Sequence, residues 1–333
     1  MAFGRPAGAL GQGSGGRELE RLPRRQTAAL RAVKILLIGR EGQVAWELRR
    51  TLACLGEVVA LDRHSHPLAV DLADAASLRA ACAEVKPDLI VNAAAYTAVD
   101  RAEGDQALAY AVNAVAPGVL AEQAKALNAG LIHYSTDYVF PGDVHEPHRE
   151  TDATGPQSVY GRSKLAGETA IAQVGASHVI LRTAWVYGMR GHNFLLTMLR
   201  LMKEREVLRV VNDQFGAPTW SRLIAEATAL LIAQASEGER FATGGRDGIY
   251  HLSCAGQTSW HDFAQAIRER GIAQGLLSDN CARLEAISSA EYPTPARRPA
   301  YSVLSNDRLS AHYGLRLPDW REALALCLDG AKE

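Results

Sequence analysis

Val33-Lys-Ile-Leu-Leu-Ile38 runs directly into Gly39-Arg-Glu-Gly42-Gln-Val-Ala45 and then Trp46-Glu-Leu-Arg-Arg-Thr-Leu52. The first six residues form a short, mostly apolar run, the pattern of a strand buried on both faces of a parallel sheet. Val44, Leu48, Leu52 and Leu55 then recur at helical spacing. Strand, tight glycine turn and helix follow one another without a break. Such a turn lets a backbone approach a pyrophosphate, whose charge meets the free N–H groups at the helix N-terminus. By itself a Gly-x-x-Gly turn is equally an ordinary tight turn.

Outward from this unit the alternation continues. Glu57 to Leu61, Asp88 to Val91, Gly130 to Ser135 and His178 to Arg182 read as further strands, with helix-like stretches such as Asp105 to Ala126 between them. Strands alternating with helices predict an α/β fold, a doubly wound parallel sheet of the Rossmann kind. Ligands of such sheets bind at the carboxyl ends of the strands, so the residues just after each strand are the candidates for chemistry. Asp62 ends the second strand near the roughly 20-residue spacing from the glycine turn expected of a carboxylate on the adenosine ribose. Arg63 beside it suits a 2′-phosphate, so both NADPH and NADH are expected to be accepted. Asp71-Leu72 follows another short apolar run, either flanking the adenine or, for the aspartate, capping a helix.

Tyr160 and Lys164 stand four positions apart in a helix-like segment, which puts both on one face, about 6 Å apart along the axis. An ammonium beside a tyrosine stabilises the phenolate and lowers a pKa that is ordinarily near 10. Such a tyrosine can protonate a ketone oxygen while hydride arrives at carbon. Thr136, just past the fourth strand, places a hydroxyl where it could bond the same oxygen.

Composition narrows the function further. The 333 residues carry 36 basic and 37 acidic side chains, a net charge of −1 that gives no footprint for nucleic acid. Hydrophobic residues at 47% and charged residues at 22% fit a folded globular protein, and no apolar run reaches the roughly 18 residues of a membrane span. Five scattered cysteines without a Cys-x-x-Cys pair suggest neither zinc nor a redox dithiol, and a reducing cytoplasm is the expected setting. Residues 1–32 are glycine-rich and basic, with Arg5, Arg17, Arg21, Arg24, Arg25 and Arg31 against Glu18 and Glu20. They lack a secretory apolar region and read as a disordered extension or the product of a start codon placed too far upstream, an organellar address or a nucleic-acid arm being the alternatives.

The chain resembles the extended short-chain dehydrogenase/reductases, and among them the dTDP-4-dehydrorhamnose reductase family, from Val33 to the C-terminus. The resemblance rests on Gly39-x-x-Gly-Gln-Val, Asn92-Ala-Ala-Ala-Tyr-Thr-Ala-Val-Asp100, Ser135-Thr-Asp-Tyr-Val-Phe140 and Tyr160-Gly-x-Ser-Lys164. Arg182-Thr-x-Trp-Val-Tyr-Gly188, Asn193-Phe194, Asp213-Gln-x-Gly-x-Pro-Thr219 and Tyr292-Pro-Thr-Pro-Ala296 add to it. It implies that Thr136, Tyr160 and Lys164 are catalytic, with Lys164 also holding the nicotinamide ribose. It places Gly39, Gly42, Gln43 and Val44 at the cofactor pyrophosphate, Asp62, Arg63, Asp71 and Leu72 around the adenosine, and Ala94, Ala95, Tyr96 and Thr97 against the cofactor. Asn113 would complete a proton relay, a buried structural asparagine being the rival reading.

For the substrate, the resemblance implies Thr136, Asp137, Trp185 against the sugar, and Arg298 on a diphosphate, with Arg297 and Arg222 as rivals for that contact. Residues 33–182 would form the NAD(P)-binding domain and 183–333 a smaller, mainly substrate-binding α/β domain, interleaved with the first or separate from it. Ala45 departs from the glycine of many relatives, a difference of one methyl at a helix–strand contact. Asp137-Tyr138 stands where related dehydratases carry Asp-Glu, which favours simple reduction of dTDP-4-dehydro-L-rhamnose. The alternatives are another nucleotide-linked 4-ketosugar or a non-catalytic nucleotide-binding subunit. The family is associated with magnesium and with homodimers; no ligand spacing singles out a metal site, and both points stay open.

Overall fold

Alternation along one strand explains the layers. In β1 (Val33–Ile38), Ile35 and Leu37 enter one apolar cluster while Leu36 and Ile38 enter another, as a period of two requires. A computed structural model describes residues 33–237 and 240–329, so the expectation for residues 1–32 lies outside the described residues. Five more strands join β1: β2 (Gly56–Leu61), β3 (Leu89–Asn92), β4 (Gly130–Thr136), β5 (His178–Thr183) and a sixth from the C-terminal part of the chain. The six pair in parallel throughout.

On one face lie α1 (Gln43–Thr51) and the later helix Ser221–Gln234, contributing Leu48, Ile224 and Leu231 to the core. The other face is covered by α2 (Ala75–Val85), α3 (Ala116–Leu127) and α4 (Val159–Val174), through Leu78, Leu120 and Ile171. The helix expected from Asp105 to Ala126 is present but contains a π turn, Ala111–Val115, flanked by Gln106–Tyr110 and α3.

Past β5 the chain forms a second cluster. Helices α5 (Phe194–Glu204), α6 (Ser221–Gln234), α7 (Trp260–Ala273), α8 (Asp307–Tyr313) and α9 (Trp320–Asp329) follow in order, α6 and α8 burying Ile224, Leu231, Leu309 and Tyr313 in the core of the main sheet and the other three building the second cluster. Strand β6 (Val207–Val211) precedes β7 (Gly248–His251), the sixth strand of the main sheet, and β8 (Arg283–Ile287) pairs in parallel with β6. Leu195, Met198, Phe263, Ile267, Trp320 and Leu324 make its apolar centre. The main sheet runs β7-β5-β4-β3-β1-β2. Its order reverses at β1, flanked by β2 and β3, and the crevice for a ligand opens there.

Candidate active site

Gly39 leaves β1 at φ +99°, in the left-handed region open to glycine. Its N–H donates to Leu61 O at 2.8 Å, tying the ends of β1 and β2. A Cβ there would press to 3.2 Å from Ala94. Gly42 precedes α1, has no side chain to cap it, and faces open space where a Cβ would stand. The free N–H groups of the first helical turn therefore look into a cavity of about 500 Å³, lined by Gly39, Gly42, Gln43 and Val44. Ala45 is fully buried, 3.5 Å from Gly39's missing Cβ, so its extra methyl is packed against the turn.

The far wall of this cavity brings together Ala94, Ala95, Thr97, Ser135, Tyr160, Lys164 and Thr183. Tyr96 turns away: its phenol donates to Asp105 at 3.4 Å, and its N–H and C=O are held by Asn113 at 2.9 and 3.0 Å. Asn113 also donates to Ser163 Oγ at 3.0 Å. These three bonds are what a buried structural asparagine makes. The π turn that carries it approaches α4 so closely that a Cβ on Gly167 would stand 2.1 Å from Asn113 O.

Tyr160 and Lys164 share a face of α4, but their polar atoms part. Lys164 is buried and its Nζ donates to Tyr134 O at 2.6 Å, with His133 Nε2 at 3.2 Å. Burial pushes the ammonium down to about 8, with Glu168's charge opposing. His133, fully buried, is driven well below the ordinary imidazole range by burial and then by the Lys164 charge. Burial pushes the Tyr160 phenol up to about 12, with the Thr136 hydroxyl beside it holding it down and Asp137 raising it. The depressed phenol expected from the Tyr-x-x-x-Lys spacing is therefore not what these side chains make. Lys164 spends its donors on β4, and desolvation dominates at Tyr160.

Thr136 ends β4 and donates from Oγ1 to Asp137 Oδ1 at 2.9 Å. Asp137 is buried, and burial raises its carboxyl to about 6, with the nearby Ser302 and Thr136 hydroxyls opposing the rise. Its Oδ2 has no partner, and neither do the buried hydroxyls of Ser135 and Thr183. Buried polar atoms without partners are uncommon and call for a ligand or water. Together with the glycine turn, the Ser135 and Thr183 hydroxyls in the cavity wall fit a polar, phosphate-bearing cofactor.

The adenosine candidates lie outside this enclosed space. Partial burial works against the Asp62 charge, but Oδ1 accepts from His64 N–H and Ser65 Oγ, both at 2.9 Å, and the carboxyl sits below its ordinary value. Arg63 is exposed, donating to His64 at 3.0 Å. Asp71 is exposed and accepts from Ala73 N–H at 2.9 Å. Asp74, rather than Asp71, caps α2, and Leu72 packs against the core.

A second cavity, of about 440 Å³, is lined by Tyr138, Phe194, Trp260, Tyr292 and Arg298. Tyr138 links it to the first, its ring edge-on to Tyr160 at 5.5 Å. Arg298 pairs with Asp100 at 2.8 Å, and Asp100 also accepts from Ala296 N–H at 3.2 Å. Of its rivals, Arg222 is engaged with Glu226 at 2.9 Å. A larger hollow of about 730 Å³ around Cys254 and Arg316 is lined by none of the candidate residues.

The loop after β5 closes over the glycine turn. Asn193 donates to Gln43 Oε1 at 2.8 Å and to Gly188 O at 2.9 Å. Arg190 pairs with Glu41 and stacks on Trp46 at 3.4 Å. Among the described residues no group of three or more His, Cys, Asp or Glu side chains is placed to hold a metal ion. No helix there is long and apolar enough to cross a membrane.

Residues 33–332 match the RmlD substrate binding domain. The chain belongs to that family. Members similar to it include a Burkholderia thailandensis protein named dTDP-4-dehydrorhamnose reductase, 51% identical over 297 residues, covering 89% of this chain and 98% of that one. An Escherichia coli K12 protein of the same name is 46% identical over 290 residues, covering 87% and 95%. The solved Bacillus anthracis dTDP-4-dehydrorhamnose reductase, in complex with NADP, superposes with a TM-score of 0.80 at 31% identity, covering 90% of this chain and 99% of that one.

Reading motifs one by one missed three features. Strand β7 has four residues and no helix directly before it. Asp100 was visible in its motif, but its ion pair with Arg298 spans the chain. Trp260 follows Ser259, whose side chain caps α7 by accepting from Asp262 N–H at 3.0 Å; that cap was the available signal.

Proposed function

We propose that this chain is a dTDP-4-dehydrorhamnose reductase, reducing the C4 ketone of dTDP-4-dehydro-L-rhamnose to give dTDP-L-rhamnose. The observation that carries the reading is the convergence of Tyr160, Lys164 and the end of β4 on the wall of a cavity whose floor is the glycine turn. The relatives that share this chain over nearly its whole length bear the same name.

A nicotinamide cofactor supplies the hydride when bound, NADPH or NADH both being compatible with the Asp62-Arg63 pair. Gly39, Gly42 and the first turn of α1 hold its phosphates, and Ala94, Ala95 and Thr97 back it. Tyr160 delivers a proton to the ketone oxygen from a phenol that burial keeps protonated at neutral pH. Thr136 hydrogen-bonds the same oxygen once its hydroxyl proton turns away from Asp137 Oδ1. Lys164, anchored on Tyr134 O in the same cavity wall, contributes a positive charge that favours the phenolate until a proton from solvent replaces the one given up. Asp137, with one oxygen unpartnered, and Trp185 address the sugar. Arg298 addresses the diphosphate once it leaves Asp100.

Residues from 183 onward form most of the substrate side.

The test is NAD(P)H oxidation at 340 nm with enzymatically generated dTDP-4-dehydro-L-rhamnose, the native protein against Tyr160→Phe. Oxidation by the native protein that the variant loses supports the reading. A folded, cofactor-binding native protein that leaves NAD(P)H untouched overturns it.

A further inference from the structure

Trp185 has a conformation that its own sequence does not favour. Its φ is +46°, a region rarely visited by bulky side chains and held only where the surroundings over-determine it. Three contacts supply that restraint. Trp185 O accepts from Thr219 N–H at 3.2 Å, and the next residues pair in parallel, Val186 with Thr219. The indole lies across Gly216 so closely that a Cβ there would stand 2.4 Å from the ring. On the indole sits Trp260, coplanar within 2° and with ring centroids 3.4 Å apart.

One short ladder fixes all of these. Gly216 pairs with Thr258 and Phe215 with Ser259, so the strand that lies under Trp185 also sets where α7 begins. Trp260 emerges as the first residue of α7, with Phe194 against it at 4.6 Å. Thr183, two residues before Trp185, lines the catalytic cavity, while Trp260 and Phe194 line the second one. Of the stacked pair, Trp260 lines the second cavity, and Trp185 lies between Thr183 and Val186, which line the first.

We propose that Trp260 is a positioning residue for the hexose: it holds the Trp185 indole across Gly216, so that the sugar wall has one orientation before substrate arrives. This rests on the reading above that Trp185 touches the sugar. An indole free to leave Gly216 would have other rotamers to lose on binding. Removing the stack therefore weakens sugar binding while leaving the proton-transfer groups in place.

The experiment measures steady-state kinetics with dTDP-4-dehydro-L-rhamnose and NAD(P)H, with near-ultraviolet circular dichroism as a direct report on the stacked indoles. Trp260→Leu is expected to raise the sugar-nucleotide KM by about tenfold, with kcat and the cofactor KM within about twofold. Trp260→Phe, which keeps an aromatic face, recovers most of that loss. Gly216→Ala, whose methyl evicts the indole from the other side, reproduces it and provides a second route if Trp260→Leu folds poorly. In a Trp185→Leu background, which itself raises KM, Trp260→Leu adds less than about twofold.

A Trp260→Leu effect of equal size in both backgrounds overturns the proposal, since Trp260 would then touch substrate directly. So does a normal KM in folded Trp260→Leu when Trp185→Leu raises it. If Trp185→Leu itself leaves KM unchanged in an active protein, the sugar contact fails and the proposal falls with it. Absence of wild-type turnover would instead mark failure of the reductase reading.

Discussion

Replacing Asp137 by asparagine should stabilise the protein, and by an amount that depends on pH in a calculable way. Burial raises this carboxyl from an ordinary 3.8 to about 6 in the folded chain. For an acid whose folded pKa is raised, the favourable state is the neutral one. The native chain keeps that stability below about 3.8, loses it progressively as pH rises, and has lost all of it above about 6. The raised pKa costs the fold about 2 kcal/mol at pH 5 and about 3 kcal/mol at pH 8. Asparagine keeps the acceptor for Thr136 Oγ1, so that bond at 2.9 Å survives. The atom it alters is Oδ2, which has no protein partner. Any penalty for burying an unpartnered amide there is independent of pH, and the pH-dependent part isolates the charge. Urea unfolding of native protein and Asp137→Asn at pH 5, 6, 7 and 8 should show the variant gaining about 1 kcal/mol between the extremes. A stability difference that stays flat over that range would refute the reasoning.

The remaining predictions concern the other groups in and around the site. Tyr160→Phe should lower kcat by about 10²- to 10⁴-fold while the NAD(P)H dissociation constant, read by fluorescence titration, changes little. Because Lys164 is held down to about 8, its ammonium is lost as pH rises through that value, and kcat/KM should fall above about pH 8. Glu168→Ala strips a buried Arg182 of both its bonds, at 2.9 and 2.6 Å, and should cost about 3–5 kcal/mol in denaturant titration. Ser135→Ala and Thr183→Val, which remove buried hydroxyls without partners, should weaken NAD(P)H binding several-fold without lowering the melting temperature.

Much of the main sheet was legible because its evidence is local. Five strands announce themselves as short apolar runs followed by small or polar residues, and the expected bounds of the first, Val33 to Ile38, are those observed. The others differ by one residue at one or both ends. Tyr160, Lys164 and the end of β4 were readable because helical spacing and strand ends fix them without tertiary information. The protonation chemistry was less so. Spacing places Lys164 on the face of Tyr160, but which acceptor its ammonium takes depends on Tyr134 O and His133 in another element. Arg298 was legible as a cation near the substrate side, whereas its partner Asp100 belongs to the opposite part of the chain. Gly248–His251 escaped because four residues carry too little periodicity to announce a strand.

That last strand bears on how the molecule can be cut and recombined. Residues 248–251 leave the C-terminal half of the chain to pair alongside 179–182. A gene fragment stopping at Thr183 would expose the backbone of β5 as an unprotected edge, a template for pairing with other chains. Grafting a foreign C-terminal half would have to bring a matching strand in register, and not only a loop that reaches the sugar. Exchange of substrate preference among such proteins should therefore proceed by point changes around the stacked tryptophans more readily than by shuffling of whole segments.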